Sequence, residues 1–562
     1  MKLVSIDTET ELFDEKINKY NYNVEIHHVF YCSSNGTAHF VAKPTPESLA
    51  HLQNEIDTAD TVTFHHAKFD LPKLAKIGVL IPQAKVSCSL IGFALLQGPR
   101  SSNGLKPLAK KFLGMNMDDF DESLYSSLEE MDIYAKKDAI ATRELYPILL
   151  EQLDRQGLLS LYQDVELPLI PALIDLESNG MKIELKALKT HCRELLQKQK
   201  ERLKNLALKI SPDFNPNSPT QIASYIHDTL GIKVIYHTKK GKRATDVKSL
   251  EKYNRHKQDE TINEITAYLK DSKFLSNQAI PILKKCDPAD GRLRCTYNPL
   301  GTETGRFTAN NPNLQGVSKK GPLRSFFIAE EGHKLVCADF KQQEPRILAA
   351  CTGDEKLLEI VAKGEDFYKY VASIVFSIPL NEVTDEIRAV AKVLTLSVIY
   401  GKGAPAVAED LKISYLRAKK ILKLFDSLFP KIVVWKNSII DELIRKGYLT
   451  TPLGRRRDFD LTKDLSRPDV NSIEREAINF IIQGTAADAS KITLKKIHDN
   501  LNPGWKLLAF IHDEYLLEVP DADIEEAKHM LQRVMSEKID WLGINLVADI
   551  GHGSTWAEAK GK

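Results

Sequence analysis

The sequence predicts a multidomain α/β protein on three features: 562 residues, short apolar runs of strand length that end in acids, and long stretches of helical composition between them. A chain of this length forms several domains, each large enough to bury a core. In chain order, Leu3-Val4-Ser5-Ile6-Asp7-Thr8-Glu9 reads as a buried strand that delivers Asp7 and Glu9, two residues apart, to one face. A second strand is expected at Thr61–Phe64, just before His65-His66-Ala67-Lys68-Phe69-Asp70, and a helix through Ala135–Leu153, near whose start Tyr134 and Asp138 fall one turn apart. Leu167-Pro168-Leu169-Ile170-Pro171 follows, and the Lys/Glu/Leu-rich stretch from Ala187 to Leu208 reads as a long exposed helix.

Further on, the apolar run Leu335-Val336-Cys337-Ala338 reads as a strand ending in Asp339. Arg388 to Gly401 contains no helix breaker before its final glycine, so Arg388, Lys392, Leu396 and Tyr400 drift by about 40° per step of four and share one broad face. Trp505–Ala509 and Tyr515–Val519 read as two strands of a hairpin whose turn holds Asp513 and Glu514. Carboxylates from separate elements that converge on two ions about 3.5–4 Å apart are what two-metal phosphoryl transfer needs. Mg²⁺ suits such a site because it prefers oxygen ligands and shares its shell with substrate phosphates. The cationic end of the 388–400 face is chemically fit for a triphosphate and its aromatic end for a base.

Composition narrows the classes. Lys plus Arg number 77 against 76 Asp plus Glu, so global charge neither favours nor excludes nucleic acid. Local basic loops at Lys239, Lys240, Lys242 and Arg243, and at Lys319, Lys320 and Arg324, are candidates for following a phosphate backbone. The seven cysteines show no Cys-x-x-Cys and no His/Cys cluster at zinc spacing, which fits free thiols in a reducing compartment. No apolar stretch approaches the roughly 20 residues that cross a bilayer, and the first residues run straight into the Asp7 strand rather than a targeting segment. A cytoplasmic monomer without membrane contact is the expectation, in a host's cytoplasm if the protein is viral.

Six segments in order, Thr304-Gly305-Arg306-Phe307 with Asn311 to Gln315, the Asp339 strand, the Arg388 helix, Gly454-Arg455-Arg456, Glu474 to Asp488, and Phe510 to Glu514, resemble family A DNA polymerases, the group of bacterial DNA polymerase I and many phage enzymes. Asp7, Glu9, Asp70, Tyr134 and Asp138 resemble the set of the 3′–5′ proofreading exonucleases. The resemblance implies an RNase H-like exonuclease domain over 1–155, then a right-hand polymerase domain over 156–562. Its thumb would span about 165–295, its palm (with an antiparallel sheet) about 296–350 and 490–562, and its helical fingers about 351–489. It implies Asp339 and Asp513 as metal ligands with Glu514 in support, Arg388 and Lys392 on the incoming triphosphate, Lys392 also as proton donor to pyrophosphate, and Tyr400 beside the nascent base pair. Glu344 would pack against the sugar C2′ position and exclude ribonucleotides. Arg306, Arg475, Asn479, Gln483 and His512 would contact the primer–template. In the exonuclease, Asp7, Glu9, Asp70 and Asp138 would bind two metals while Tyr134 orients the attacking water.

The implied cofactors are two Mg²⁺ per site, with Mn²⁺ as a substitute. The implied partners are primer–template DNA, dNTPs and replisome proteins such as a helicase and a single-strand binding protein. The N-terminal 5′ nuclease domain of bacterial DNA polymerase I and the long thumb insertion of one phage branch are expected to be absent. Two positions depart from the family pattern: His66 stands where asparagine is usual, and Leu396 where an aromatic is usual. A repair polymerase, and an exonuclease whose polymerase half only binds DNA, are the alternatives; single-subunit RNA polymerases share the acids and the Arg/Lys helix.

Overall fold

Strand β1 (Leu3–Thr10) lies at the middle of a five-stranded sheet with β2 (Ile26–Cys32), β3 (Ala38–Ala42), β4 (Thr61–Phe64) and β5 (Val86–Cys88), in the order β3-β2-β1-β4-β5. The β3-β2-β1 pairs are antiparallel, and β1-β4 and β4-β5 are parallel. Helix α1 (Ala67–Lys76) follows β4, and the long α2 (Leu128–Arg155) packs on β1, where Ser5 Oγ donates to the Ala139 carbonyl at 2.6 Å. Val4, Ile6, Val62, Phe64, Leu145 and Leu149 are fully buried between these layers. Each such side chain contributes roughly 1.5–3 kcal/mol of apolar burial, which fixes where the acids between them stand. The computed structural model describes residues 1–10, 26–42, 44–117, 128–238, 240–319, 321–462 and 466–561.

The expected exposed helix is α3 (Leu185–Lys209), followed by α4 (Val247–Lys257) and α5 (Glu260–Phe274), which enclose a small core of Leu206, Ile222, Leu250, Ile262 and Ile265. A four-stranded antiparallel sheet forms from β6 (His333–Phe340), β7 (Lys506–Ile511), β8 (Glu514–Pro520) and β9 (Ala548–Gly553), in the order β7-β8-β6-β9. Between β6 and β7 in sequence come α6 (Gln343–Thr352), α7 (Phe367–Phe376), α8 (Asp385–Ile399) and the long α9 (Arg467–Asp499); the short α10 (Trp556–Ala559) packs under β9. The helices from Gln343 to Phe429 share a separate core around Ile347, Phe367, Leu394 and Phe425. Lys252 on α4 reaches Glu409 at 2.6 Å, so the α3–α5 region touches the helical region across the cleft.

Elements far apart in the chain are joined by buried charge. Arg455 lies 2.5 Å from Glu166 and 2.6 Å from Asp488, and Lys491 lies 2.6 Å from Glu166, with all four side chains essentially inaccessible. Gly305, at φ +71°, allows that packing: a Cβ there would stand 2.5 Å from the Arg455 guanidinium carbon. Removing one partner of such a set leaves an uncompensated buried charge, which costs far more than the intact network contributes.

Candidate active sites

The first acidic site stands on the four-stranded sheet. Register pairs Asp339 on β6 with Glu514 on β8 and with Asp549 on β9, so the three acids form a row across the strands. Ile511 pairs with Glu514, which leaves His512 and Asp513 as a two-residue turn. His512 takes φ +62°, a conformation that costs a non-glycine residue about 1–3 kcal/mol and that the surrounding sheet enforces. Asp513 is thereby aimed back at Asp339: burial, then the neighbouring Asp339 charge, pushes its carboxyl up to about 7. Buried Asp339 Oδ1 has no hydrogen-bond partner, while Oδ2 accepts from Lys560 Nζ at 2.5 Å, with Lys319 Nζ 4.0 Å away.

Glu514 does not share this opening. It is 1 % exposed, accepts from Arg324 at 2.9 Å and from Trp556 Nε1 at 2.5 Å, and is held below the usual carboxylate range because those partners and Lys560 outweigh its burial. Arg324 is therefore no backbone-following surface cation, as the sequence had led us to expect: it is 2 % exposed and stacks on the Trp556 ring. Lys320 and Lys239 lie outside the described residues, and Arg243 is neutralised by Asp228 at 2.9 Å.

A cavity of about 810 Å³ is lined by Asp339 and Asp513 from the sheet and by Arg388, Lys392 and Leu396 from a helical wall. That wall is α8, which begins at the Thr384 cap with Asp385 and Glu386 in its first turn and stops at Gly401, φ +66°. The Gly401 and Lys402 amides donate to Val398 O and Ser397 O at 3.0 and 2.8 Å, the paired bonds of a Schellman end. Tyr400, read from sequence as helical, is consequently the cap residue, and it turns its hydroxyl onto Glu344. Glu344 also takes Arg306 at 2.8 Å, so it is tied at both oxygens. Arg388 is held by Asp366 at 2.8 Å and by the Tyr368 ring, whereas Lys392 makes no ion pair among the described residues. Arg475, Asn479 and Gln483 recur every fourth residue along α9; Gln483 hydrogen-bonds Tyr400, and Arg475 packs against Gly401. His512 lines the same cavity.

The second site surrounds β1. Thr8 Oγ1 donates to Asp70 Oδ1 at 2.7 Å, while buried Asp70 Oδ2 has no hydrogen-bond partner. Asp138 comes from α2, Asp7 and Glu9 from the strand. Burial raises Asp7 to about 6, and burial followed by repulsion from Asp7 and Asp138 raises Glu9 to about 8. Asp70 is pushed well up by burial and then by Asp7. Tyr134 lies on α2, and its side chain is outside the described residues. His66 stands half-buried at the N-cap position of α1, where desolvation drives its ring down to about 3, so it is a neutral imidazole.

Among the described residues no group of three or more His, Cys, Asp or Glu side chains closes round a single ion. The unsatisfied oxygens of Asp339 and Asp70 nevertheless fit a hard cation that completes its shell with water and phosphate oxygens. Sequence reasoning missed Lys73, Lys560, Trp556, Asp366 and Tyr368. Of these only Lys73 carried a local signal, standing three residues after Asp70 in the chain.

A strand acid and a hairpin acid opposite a cationic helix, preceded by a second acidic site on a mixed sheet, define the class. The chain belongs to DNA polymerase family A, which residues 184–558 match, and residues 1–154 match a 3′–5′ exonuclease family. It is 34 % identical over 433 residues to the thermostable DNA polymerase I of Thermus filiformis, covering 76 % of this chain and 51 % of that protein. It is 32 % identical over 454 residues to DNA polymerase I of Caldicellulosiruptor bescii, covering 78 % and 53 %. The chain thus spans about half the length of the curated relatives it matches, and these are bacterial proteins that lend nothing to a phage origin. The polymerase domain of Pol1 from M. smegmatis, solved with DNA primer–template and dNTP, superposes with a TM-score of 0.88 at 25 % identity, covering 99 % of this chain and 96 % of that one. Both family domains use divalent metals. Among the described residues no helix is long and apolar enough to cross a membrane.

Proposed function

We propose that the protein is a DNA-directed DNA polymerase with 3′–5′ proofreading, acting in replication or repair on primer–template DNA and dNTPs in the cytoplasm, as a monomer that works with replisome proteins such as a helicase and a single-strand binding protein. The observation that carries this reading is the placement of Asp339 and Asp513 across one cavity from Arg388 and Lys392. We assign the exonuclease to 1–155 and the polymerase to 156–562, with thumb 165–295, palm 296–350 and 490–562, and fingers 351–489. Two Mg²⁺, or Mn²⁺ in substitution, held by Asp339 and Asp513 would lower the pKa of the primer 3′-hydroxyl and stabilise the departing pyrophosphate.

The chain's own residues do the rest. Lys392, with no carboxylate partner, meets the triphosphate and delivers a proton to pyrophosphate, while Arg388 exchanges Asp366 for phosphate oxygens. Tyr400 and Arg306 fix Glu344 against the sugar C2′ position, and Arg475, Asn479, Gln483 and His512 hold the primer–template. At the other site Asp7, Glu9, Asp70 and Asp138 hold the ions and Tyr134 orients the attacking water. The tied Glu344 favours deoxy substrates over the RNA polymerase alternative, and ribonucleotide incorporation by Glu344→Ala but not by the parent is the expected result.

The test is a 5′-labelled primer–template incubated with Mg²⁺, with and without dNTPs, using parent, Asp7→Ala and Asp513→Ala proteins. Extension lost only in Asp513→Ala, and 3′ shortening lost only in Asp7→Ala, is expected. Shortening without extension by the parent would leave the exonuclease with a DNA-binding but inactive polymerase half.

A further inference from the structure

Lys68 is a buried cation that neither proposed reaction uses. It stands in the first turn of α1, where the helix dipole disfavours positive charge. Its ammonium reaches out of the exonuclease segment: it lies 2.5 Å from Glu177 Oε1 and donates to the Tyr297 carbonyl at 2.5 Å. Glu177 is fully buried on the helix Ile170–Asn179, beyond the 1–154 that match the exonuclease family, and Tyr297 lies within the 184–558 that match the polymerase. The same Oε1 accepts the Tyr297 amide at 2.6 Å, so Lys68, Glu177 and both backbone polar groups of Tyr297 form a closed ring. That ring is anchored on β7, the strand that leads into the Asp513 turn. The Phe510 amide donates to the Tyr297 hydroxyl at 3.3 Å, and Asn179 Nδ2 donates to the Leu507 carbonyl at 3.0 Å.

Two residues apart on a helix, Lys68 and Asp70 point about 200° from one another round its axis. One turn therefore presents Asp70 to β1, where Thr8 holds its Oδ1 at 2.7 Å, and Lys68 to the Glu177 helix on the other side. An ion pair buried like this contributes little over well-packed apolar side chains of the same volume, so stability alone does not account for it. We propose that the Lys68–Glu177–Tyr297 ring is a strut through which β7 and the helix Ile170–Asn179 hold the first turn of α1, with Lys68 and Glu177 as positioning residues that keep Asp70 in place for exonuclease cleavage. The inference rests on the exonuclease reading above and adds that cleavage depends on residues outside the exonuclease segment. Without the strut, Thr8 is left to hold Asp70 from one side and the turn is free to shift. A misplacement of about 1 Å at a reacting centre costs on the order of 10²-fold in rate.

The experiment uses the full chain and measures 3′ shortening of a 5′-labelled single strand, extension of a primer–template and thermal melting in Lys68→Met, Glu177→Leu and the double variant. Each single change strands one buried charge and should lower the melting temperature, whereas the double removes both and should melt close to the parent. In all three, kcat for shortening is expected to fall about tenfold or more with KM little changed, while extension stays near the parent's. The Phe69 and Asp70 amides should exchange with deuterium faster in the double variant than in the parent, a readout independent of catalysis. Glu177→Gln, which keeps an oxygen for Lys68 and for the Tyr297 amide, should retain most of the shortening, and it decides the matter where the apolar pair packs badly. Shortening that recovers together with melting in the double variant, parent-like exchange of α1, extension that falls in step with shortening, or Glu177→Gln as poor as Glu177→Leu each overturns the inference alone. A parent that does not shorten DNA, or whose shortening survives Asp70→Ala, overturns the inference together with the exonuclease reading.

Discussion

Asp513 and Glu9 are both carboxylates pushed out of their usual range by burial and by a neighbouring acid, yet the cations around them are arranged in opposite ways. Around Asp513 the counter-charges make direct ion pairs: Arg324 lies 2.9 Å from Glu514, and Lys560 lies 2.5 Å from Asp339 and 3.6 Å from Glu514. Near Glu9 the buried Lys73 ammonium makes no ion pair among the described residues, and burial outweighs the attraction of Asp70, Glu9 and Asp7 to bring it down to about 7. Paired strands set the spacing of the first site, since Asp339, Glu514 and Asp549 sit opposite one another by register. The second is assembled from a strand and two helices, so its spacing follows from how three elements pack. A site whose charges are paired is preorganised without metal, and a site whose buried charges lack such pairs depends on metal and pH for its organisation.

The sharpest way to break this comparison is to remove one acid from each site. Asp339→Ala should reduce extension by about 10³-fold or more while sparing 3′ shortening, and Asp70→Ala should do the reverse; loss of both activities in either variant would mean the sites are not independent. Next in size is Arg324→Met, which takes from buried Glu514 its guanidinium partner and leaves it Trp556 Nε1 and the more distant Lys560 at 3.6 Å. It should lower stability by roughly 3–5 kcal/mol, seen as a large drop in melting temperature, and a melt within error of the parent would show that Glu514 is not locked as drawn.

A smaller effect separates the sites by pH. Asp7, Glu9, Asp70 and Asp513 all have folded-state values above their unfolded ones, so the folded protein holds more protons than the unfolded chain between the ordinary carboxylate range and about 8. The contribution of these four carboxyls should therefore be fully present below that window and lost, on the order of a few kcal/mol in all, as pH rises through it, while His65 and His66, lowered by burial to about 4 and about 3, act in the opposite sense as pH rises to about 6.5. Melts in chelator at pH 5 and pH 8 measure the slope, and Glu9→Gln should flatten it more than Asp513→Asn because it also relieves Asp7 and Asp70. A Glu9→Gln protein with the parent's slope would contradict the shift at Glu9. The smallest effect touches the first site alone: Leu396→Tyr should raise dideoxynucleotide incorporation several-fold without altering 3′ shortening. Equal chain termination by variant and parent at matched concentrations would sink that expectation.

Much of the site was legible in order along the chain because its carriers are strand ends and helix faces, whose side-chain direction follows from local periodicity. The hairpin turn at Asp513, the strand ending at Asp339 and the 388–399 helix each follow from apolar runs and breakers of a few residues. The strand at Thr61–Phe64 stands where it was expected, and the helices begin and end within a few residues of their expected limits apart from α2, which starts earlier, at Leu128. Arg324 shows the opposite case. In sequence it follows two lysines and looks like part of a basic loop, and only the packing of α10 under the sheet brings Trp556 and Glu514 around it.

What the amino-acid sequence determined by itself is therefore the identity and chain order of the acids, the cationic helix face and the α/β character, since each rests on interactions within a few residues. The tertiary structure alone decided which acid is open and which is locked, that Tyr400 leaves the helix to bind Glu344, and that Lys560 stands between Asp339 and Glu514. Those outcomes depend on burial and on charges brought together across 56 to 221 residues of chain. Desolvation and Coulomb interaction act through space, so no local pattern of residues encodes them.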